Sequence, residues 1–421
     1  MTPAEIFTLG QIGFGTLAII PFLLKDWLNR RWINKYPFPQ IPKSKISTLP
    51  RMTAIICVRD EEMVISGKLT DLASNNYPRD RLEVLVIDTG SSDRTMQVVE
   101  DWISGAPEFG PLVRLLSTTT VAGKSAAVNL GLAESHLENE IILLTDADSR
   151  LSEGALERIG SWFMNPQIGA VCGRQIPIGF DGKRQLDAGV YRAYYNRARE
   201  AESCLDSTPI FEGSLAAYRR SAINAGVVAD SNADDSQLAL EARKQGLRAI
   251  HDPDLHFFEA VPVSPVAIHS QRVRRAQGLV RHLWRNSNLM FSNKLGKSMS
   301  VTMRSLFYIH VKMPFFVISS LVSGLCLLSS LFWAPPMPFL SLPFFMVILN
   351  SASILFLLTG FLNPNSQSKQ WWFSTTPFSF IHAMFVLVWA HIRIAFGIKS
   401  HIWKPIAEIR EAINRYDELK I

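Results

Sequence analysis

Long uncharged runs lie toward the two ends of the chain, and short apolar runs broken by polar turns fill its middle. Residues 6–24 are nearly free of charge and long enough to cross a bilayer, which takes about 20 residues. Three more apolar stretches come late, at residues 307–333, 339–362 and 378–398. Between them the pattern changes period. Apolar runs predict strands at residues 52–58, 82–87, 113–116 and 141–144. Helices are predicted at residues 64–75, 92–104 and 124–133. Strands alternating with helices of this length predict an α/β domain with a mostly parallel mixed sheet covered on both faces. Residues 264–286 predict an amphipathic helix, with Val273, Ala276, Val280, Leu283 and Trp284 at helical spacing. Its other face carries Arg272, Arg275, Arg281 and Arg285, which suits a membrane surface.

This patterning divides the chain into an N-terminal transmembrane anchor (1–24), a linker (25–50) and an α/β domain (51–262). Amphipathic interfacial helices (263–300), a membrane region of two to three transmembrane helices (301–398) and a tail (399–421) follow. Lys25, Arg30, Arg31 and Lys35 come directly after the anchor, so the positive-inside rule places the α/β domain in the cytoplasm, with the plasma membrane as the expected location. At the other end topology and charge conflict. Four full crossings put the C-terminus outside, whereas Lys399, His401, Lys404 and Arg410 favour the inside. The last stretch, with His382, His391 and Arg393, is the candidate for an interfacial or re-entrant segment, and four plain crossings remain the alternative. Trp371 and Trp372 read as an interfacial belt.

Composition sharpens this only slightly. The chain is 48% hydrophobic and 19% charged, with a net charge of +6 carried beside apolar stretches, which argues for an anionic membrane surface and against nucleic acid. Cys57, Cys172, Cys204 and Cys326 are far apart with no CxxC, so neither a zinc site nor a disulfide framework is indicated.

The densest chemistry lies at the run Ile141-Ile142-Leu143-Leu144-Thr145-Asp146-Ala147-Asp148. On an extended chain residues two apart face the same way, so Asp146 and Asp148 share one side at the strand's C-terminal end. Open α/β sheets bind ligands at that end. Two hard oxygen donors there suit Mg²⁺ or Mn²⁺ bridging a diphosphate. No glycine fingerprint follows the first strand, and Thr118 stands where a phosphate loop ending in Gly123-Lys124-Ser125 needs glycine, which excludes both nucleotide motifs. What is present is an ordered series: Arg59-Asp60-Glu61, Val86-Ile87-Asp88, Gly123-Lys124, Asp146-Ala147-Asp148, Glu212-Gly213-Ser214, Tyr218-Arg219-Arg220, Asp234-Asp235 and Gln271-Arg272-Val273-Arg274-Arg275. His251, His256, His269 and His282 lack ligand spacing and read as structural, and Tyr191, Tyr194 and Tyr195 read as core.

From residue 52 to 285 this series resembles the family 2 glycosyltransferases, in particular the membrane branch with cellulose, chitin, hyaluronan and poly-N-acetylglucosamine synthases. The resemblance implies a GT-A fold, anomeric inversion and a nucleotide-sugar donor, with UDP as the expected nucleotide. By resemblance Arg59 and Glu61 lie in the donor region, Asp88 accepts hydrogen bonds from base or ribose, and Lys124 lies near the donor. Asp148 is the implied metal ligand with Asp146 beside it. Gly213 lines the acceptor site, and Asp235 is the general base. Gln271, Arg274 and Arg275 match a Gln-x-x-Arg-Trp motif, with Arg274 on the diphosphate. Arg275 replaces the tryptophan, which counts against processive polymerisation and tilts the acceptor toward a lipid or short glycan. Partners so implied are the donor, a lipid or glycan acceptor, the membrane and possible subunits of a synthase complex. An inactive nucleotide-sugar-binding relative, acting as scaffold or sensor, is the alternative. The retained acids speak against it.

Overall fold

The computed structural model describes residues 1–106, 112–118, 123–185, 189–228, 232–362, 372–398 and 406–420. Lys369, Trp371, Lys399, His401 and Lys404, which entered the topology argument, lie outside them, as do the side chains of Tyr191 and Trp372. The chain opens with helix α1 (Pro3–Lys35), capped by Thr2, whose hydroxyl accepts from the Glu5 amide while Glu5 reaches back to the Thr2 amide. The helix continues through the basic residues after the apolar run; no proline or glycine lies between Lys25 and Tyr36-Pro37, and Asp26 pairs with Arg30 one turn on.

The α/β domain follows as β1 (Met52–Val58), α2 (Ile65–Ser74), β2 (Leu82–Asp88), α3 (Thr95–Gly105), β3 (Leu112–Ser117), α4 (Lys124–Glu134), β4 (Ile141–Thr145), β5 (Ser149–Leu151), α5 (Ala155–Phe163), β6 (Ile168–Ile178), α6 (Gly189–Leu205), β7 (Leu215–Arg219), α7 (Asp234–Lys244) and β8 (Arg248–Ala260). Among the described residues these strands form one sheet in the order β3-β2-β1-β4-β7-β6-β8-β5. β3, β2, β1 and β4 pair in parallel, as the alternating pattern predicts. β7 runs antiparallel to β4 and β6, so the sheet becomes mixed in its second half.

Both faces of β1 are buried. Met52, Ala54, Ile56 and Val58 enter one apolar cluster and Ile55 and Cys57 the other, the period-two alternation of a strand covered on both sides. The first cluster also takes in Ile409, Ala412, Ile413 and Tyr416 of the last helix.

After the domain come α8 (Pro265–Arg285), α9 (Lys297–Phe307), α10 (Met313–Ser329), α11 (Leu342–Leu362), α12 (Trp372–Ala395) and α13 (Ala407–Lys420). A π-helical turn at Tyr308–Lys312 joins α9 to α10. Two helices among the described residues are long and apolar enough to cross a membrane, Pro3–Lys35 and Lys297–Phe332. Ile19, Ile20, Leu23, Phe315, Leu325, Ile348 and Leu349 project outward from α1, α10 and α11 and give this end an apolar surface. Polar contacts hold these helices together: Gln11 and Asn350 exchange amide hydrogen bonds at 2.6 and 3.0 Å, and the Ser320 hydroxyl donates to the Gln11 carbonyl.

α12 lies against α8. Arg272 is 3.1 Å from His382, and Gln277 and Arg281 both donate to the Ile398 carbonyl beyond the helix end. α13 then packs on the α/β domain.

Candidate active site

The sheet delivers its polar residues to one edge. Asp146 follows β4 directly, and Gly213-Ser214 precede β7, which pairs with β4 from Thr145 to Leu215. The Ser214 hydroxyl is 2.9 Å from Asp146 Oδ2, and Lys124 Nζ, from the first residue of α4, is 2.6 Å from Asp146 Oδ1. Both Asp146 oxygens are therefore engaged. Burial pushes this carboxyl up, but Lys124 and Ser214 outweigh it and hold it at about 2. Burial also disfavours the charge on Lys124, yet Asp146 and Asp234 keep the ammonium charged.

Asp234 and Asp235 open α7, where carboxylates also complement the helix dipole. Asp234 Oδ2 is buried without a hydrogen-bond partner and stands 4.0 Å from Lys124 Nζ. Burial, then the Asp234 charge, pushes Asp235 up to about 7. Two glycines let α7 come this close. A Cβ at Gly278 of α8 would lie 2.5 Å from the Asn232 carbonyl oxygen, and one at Gly213 would lie 3.1 Å from Asp235 Oδ2.

These groups face a cavity of about 380 Å³ between the sheet edge and α8. Of the residues singled out in the sequence, Glu61, Lys124, Asp146, Asp148, Gly213, Asp235, Gln271, Arg274 and Arg275 line it. Arg59 and Asp88 do not. Asp88 ends β2 beside Val58 and is engaged by its own turn, accepting from the Gly90 amide at 3.0 Å and from the Ser91 hydroxyl. Arg59 lies 3.9 Å from Asp60. Tyr195 lines the cavity instead of the core, 3.1 Å from His310 in the π-helical turn, while Tyr194 stacks on Phe22.

Arg274 makes no hydrogen bond or ion pair among the described residues, so its donors are uncommitted. Burial lowers its pKa, and the neighbouring Arg275 lowers it further. Arg275 is anchored by Glu259, at 3.2 Å. Burial, opposed by Arg275, pushes Glu259 up to about 7. Glu212 pairs with Arg199, and although burial disfavours its charge, Arg199 and Arg275 hold it at about 2.

Several cavity residues escaped the sequence reading. Glu259, Arg192 and Arg199 lie in a strand and a helix with no local motif. Arg410 is the largest omission: it comes from α13, and its guanidinium is 3.1 Å from Asp148 Oδ2 and 2.9 Å from Glu61 Oε2. The spacing of Ile409, Ala412, Ile413 and Tyr416 already marks an amphipathic helix, the one signal that could have drawn the tail into the fold.

The donor set suits a hard divalent cation. The second Asp148 oxygen has no hydrogen bond among the described residues, and it points to oxygen-ligand chemistry. No group of three or more His, Cys, Asp or Glu surrounds one point among the described residues, so such an ion would need further ligands from the substrate or water.

Comparison with known proteins gives the family. The pattern described as glycosyl transferase family 2 matches residues 53–226, and that of glycosyl transferase family group 2 matches residues 141–392, more than half of the chain. The chain belongs to family 2 of the glycosyl transferases. A solved relative of this glycosyl transferase is the mannosyltransferase PcManGT from Pyrobaculum calidifontis, in complex with GDP-Man and Mn²⁺. It is 26% identical with a TM-score of 0.75, over 93% of this chain and 99% of that one. That neighbour accords with the GT-A fold the resemblance implies. Among curated relatives, the beta-monoglucosyldiacylglycerol synthase of Trichormus variabilis is 26% identical over 60% of this chain and 54% of its own. The probable glycosyltransferase YdaM of Bacillus subtilis is 34% identical over 32% of each chain. The chain thus spans about a third to a half of the length of these curated relatives.

Proposed function

We propose that the chain transfers a sugar, with inversion, from a nucleotide sugar to a glycolipid or glycan acceptor at the inner face of a membrane. The carrying observation is the convergence of Asp146, Asp148, Asp235 and the uncommitted Arg274 on one cavity. The names of the relatives, a glucosyldiacylglycerol synthase and a mannosyltransferase, support the reaction class. The donor is read as a UDP-sugar, held by Glu61 and Lys124 at the cavity and by Arg59 and Asp88 beside it.

Asp235 takes the proton of the acceptor hydroxyl as that oxygen attacks the anomeric carbon. Its pKa near 7 leaves it unprotonated for a useful fraction of the time and basic enough to accept. The bond to the diphosphate oxygen breaks on the opposite face, and negative charge grows on the leaving group. Arg274 forks onto the phosphate oxygens there, and Gln271, one turn earlier on α8, faces the same space. Asp148, with Asp146 beside it, would hold a Mg²⁺ or Mn²⁺ ion, which supplies further charge neutralisation to the diphosphate.

In this reading α1, α10 and α11 span the membrane while α8 and α12 lie at its surface. Three crossings then leave the C-terminus with the catalytic domain in the cytoplasm, in keeping with α13 packed on that domain.

The test is to incubate membranes containing the protein with Mn²⁺ and labelled UDP-sugars or GDP-mannose, then extract the lipid. Label in the organic phase identifies a glycolipid product, and label in a high-mass aqueous fraction a polymer. No transfer from any donor, or transfer that survives Asp235→Asn unchanged, would sink the reading.

A further inference from the structure

Four acids of the cavity already have a resident cation. Lys124 sits on Asp146, Arg275 on Glu259, and Arg410 on both Glu61 and Asp148. Arg410 is the unexpected member, because α13 brings it from the far end of the chain and buries it to 6% exposure. It is not a loose surface pairing. Nε donates to Glu61 Oε2 at 2.9 Å, Nη2 donates to Glu61 Oε1, and Nη1 stands 3.1 Å from Asp148 Oδ2. Ile409 and Ile413 on the same helix are fully packed into the apolar core.

A second clamp lies about two turns on. Asp417 accepts from Arg150 Nε at 3.0 Å and Nη2 at 2.7 Å, while Arg150 Nη1 donates to the Ala147 carbonyl at 2.8 Å. The middle residue of Asp146-Ala147-Asp148 is thereby tied to the helix that carries Arg410.

We propose that Arg410 is a built-in counter-ion that keeps a free divalent cation off Asp148, so that the ion binds together with the donor's diphosphate. The inference rests on the reading of Asp148 as a metal ligand. A guanidinium does not give up its proton at any relevant pH, so its charge is permanent. A free divalent ion approaching Asp148 meets that charge in a buried site where screening by salt is weak. A cation already paired with a diphosphate carries little or no net positive charge and escapes the repulsion. Its phosphates also gain attraction from Arg274 and Arg410.

The test is Mn²⁺ titration of the purified full chain, followed by the paramagnetic resonance signal of the free ion, with and without UDP or GDP. The wild type is expected to bind Mn²⁺ weakly alone and more tightly with nucleotide. Arg410→Gln is expected to bind Mn²⁺ alone about tenfold tighter, because a like charge is gone, and to lose much of the nucleotide dependence. Arg410→Lys, which keeps the charge, is expected to behave as the wild type. A merely structural role for Arg410 predicts weaker binding in the Gln variant. Unchanged or weaker Mn²⁺ affinity in Arg410→Gln would overturn the proposal. So would a wild type that binds Mn²⁺ equally well without nucleotide, a result that needs no variant to fold. If the wild type takes up no Mn²⁺ even with UDP or GDP, the metal reading of Asp148 falls as well; if it does and Arg410→Gln matches it throughout, only the counter-ion proposal falls.

Discussion

Lys124 Nζ stands 2.6 Å from Asp146 Oδ1 and 4.0 Å from Asp234 Oδ2, so a single ammonium joins the end of β4 to the start of α7. It ties the acids at the strand end to the acid pair on the helix. Its charge also lowers the pKa of Asp235, whereas burial and then Asp234 raise it. These influences give opposite pH shifts. A general base works unprotonated, so the rate rises with pH through its pKa. For the wild type the acidic limb of kcat/KM should lie near pH 7. Asp234→Asn removes a like charge and should move that limb to lower pH. Lys124→Met removes an opposite charge and should move it higher. Rate profiles with a water-soluble acceptor check both, and equal shifts in the same direction would contradict the assignment of Asp235.

Asp235→Asn preserves shape and hydrogen-bonding capacity at the start of α7 but cannot take a proton. Turnover should fall about 10²–10⁴-fold, the usual worth of a positioned base. Donor affinity, measured by nucleotide titration, should stay within a few-fold, because the Asp235 carboxylate faces the acceptor in this mechanism. A matching loss of donor affinity would relocate its role to the donor.

Among the described residues, Arg274 is the one cavity guanidinium that makes no hydrogen bond or ion pair, in contrast to Arg275 on Glu259 and Arg410 on Glu61. A group that waits for charge to develop should act in the transition state more than in the ground state. Arg274→Ala is therefore expected to lower kcat by about 10²–10³ with a smaller change in KM. Arg274→Lys should recover only part, since an ammonium cannot fork onto two phosphate oxygens. Steady-state kinetics over donor concentration separate the two parameters.

The legible and illegible parts of this chain differ by range. β1, β2, β3 and β4 were readable because each announces itself locally, as a run of apolar residues closed by a polar turn. Asp146 and Asp148 were readable because the strand period alone puts them on one side. Glu259 was not: it lies near the end of a largely buried strand, and only the pairing of β8 with β5 and β6 brings it to Ser214. Arg410 was hidden for the same reason at longer range, because 262 residues separate it from Asp148 and no local pattern encodes that contact. The boundary at residue 24 followed the end of the apolar run, whereas α1 runs on to Lys35 because helix formation does not require apolar residues.

The continuation of α1 carries a consequence of its own. Lys25 leaves the apolar run and pairs with Glu202 of α6 at 3.0 Å, with 3% and 2% of the two side chains exposed. Glu202 also accepts from the Thr208 hydroxyl, at 2.8 Å, so the carboxylate is fixed before the lysine reaches it. This is a buried ion pair between the first helix and the α/β domain. Removing one member of such a pair leaves the other charge in a place water does not reach, which typically costs about 3–5 kcal/mol. Replacing both with apolar groups of similar size removes the stranded charge. Lys25→Ala should therefore lower the melting temperature of the detergent-solubilised protein sharply, while the double variant Lys25→Met, Glu202→Leu should recover most of the loss. If Lys25→Ala melted as the wild type does, the pair would not couple the helix to the domain, and the placement of the cavity relative to α1 would have to rest on contacts such as the Phe22–Tyr194 stacking and the Arg197–Asp26 pair.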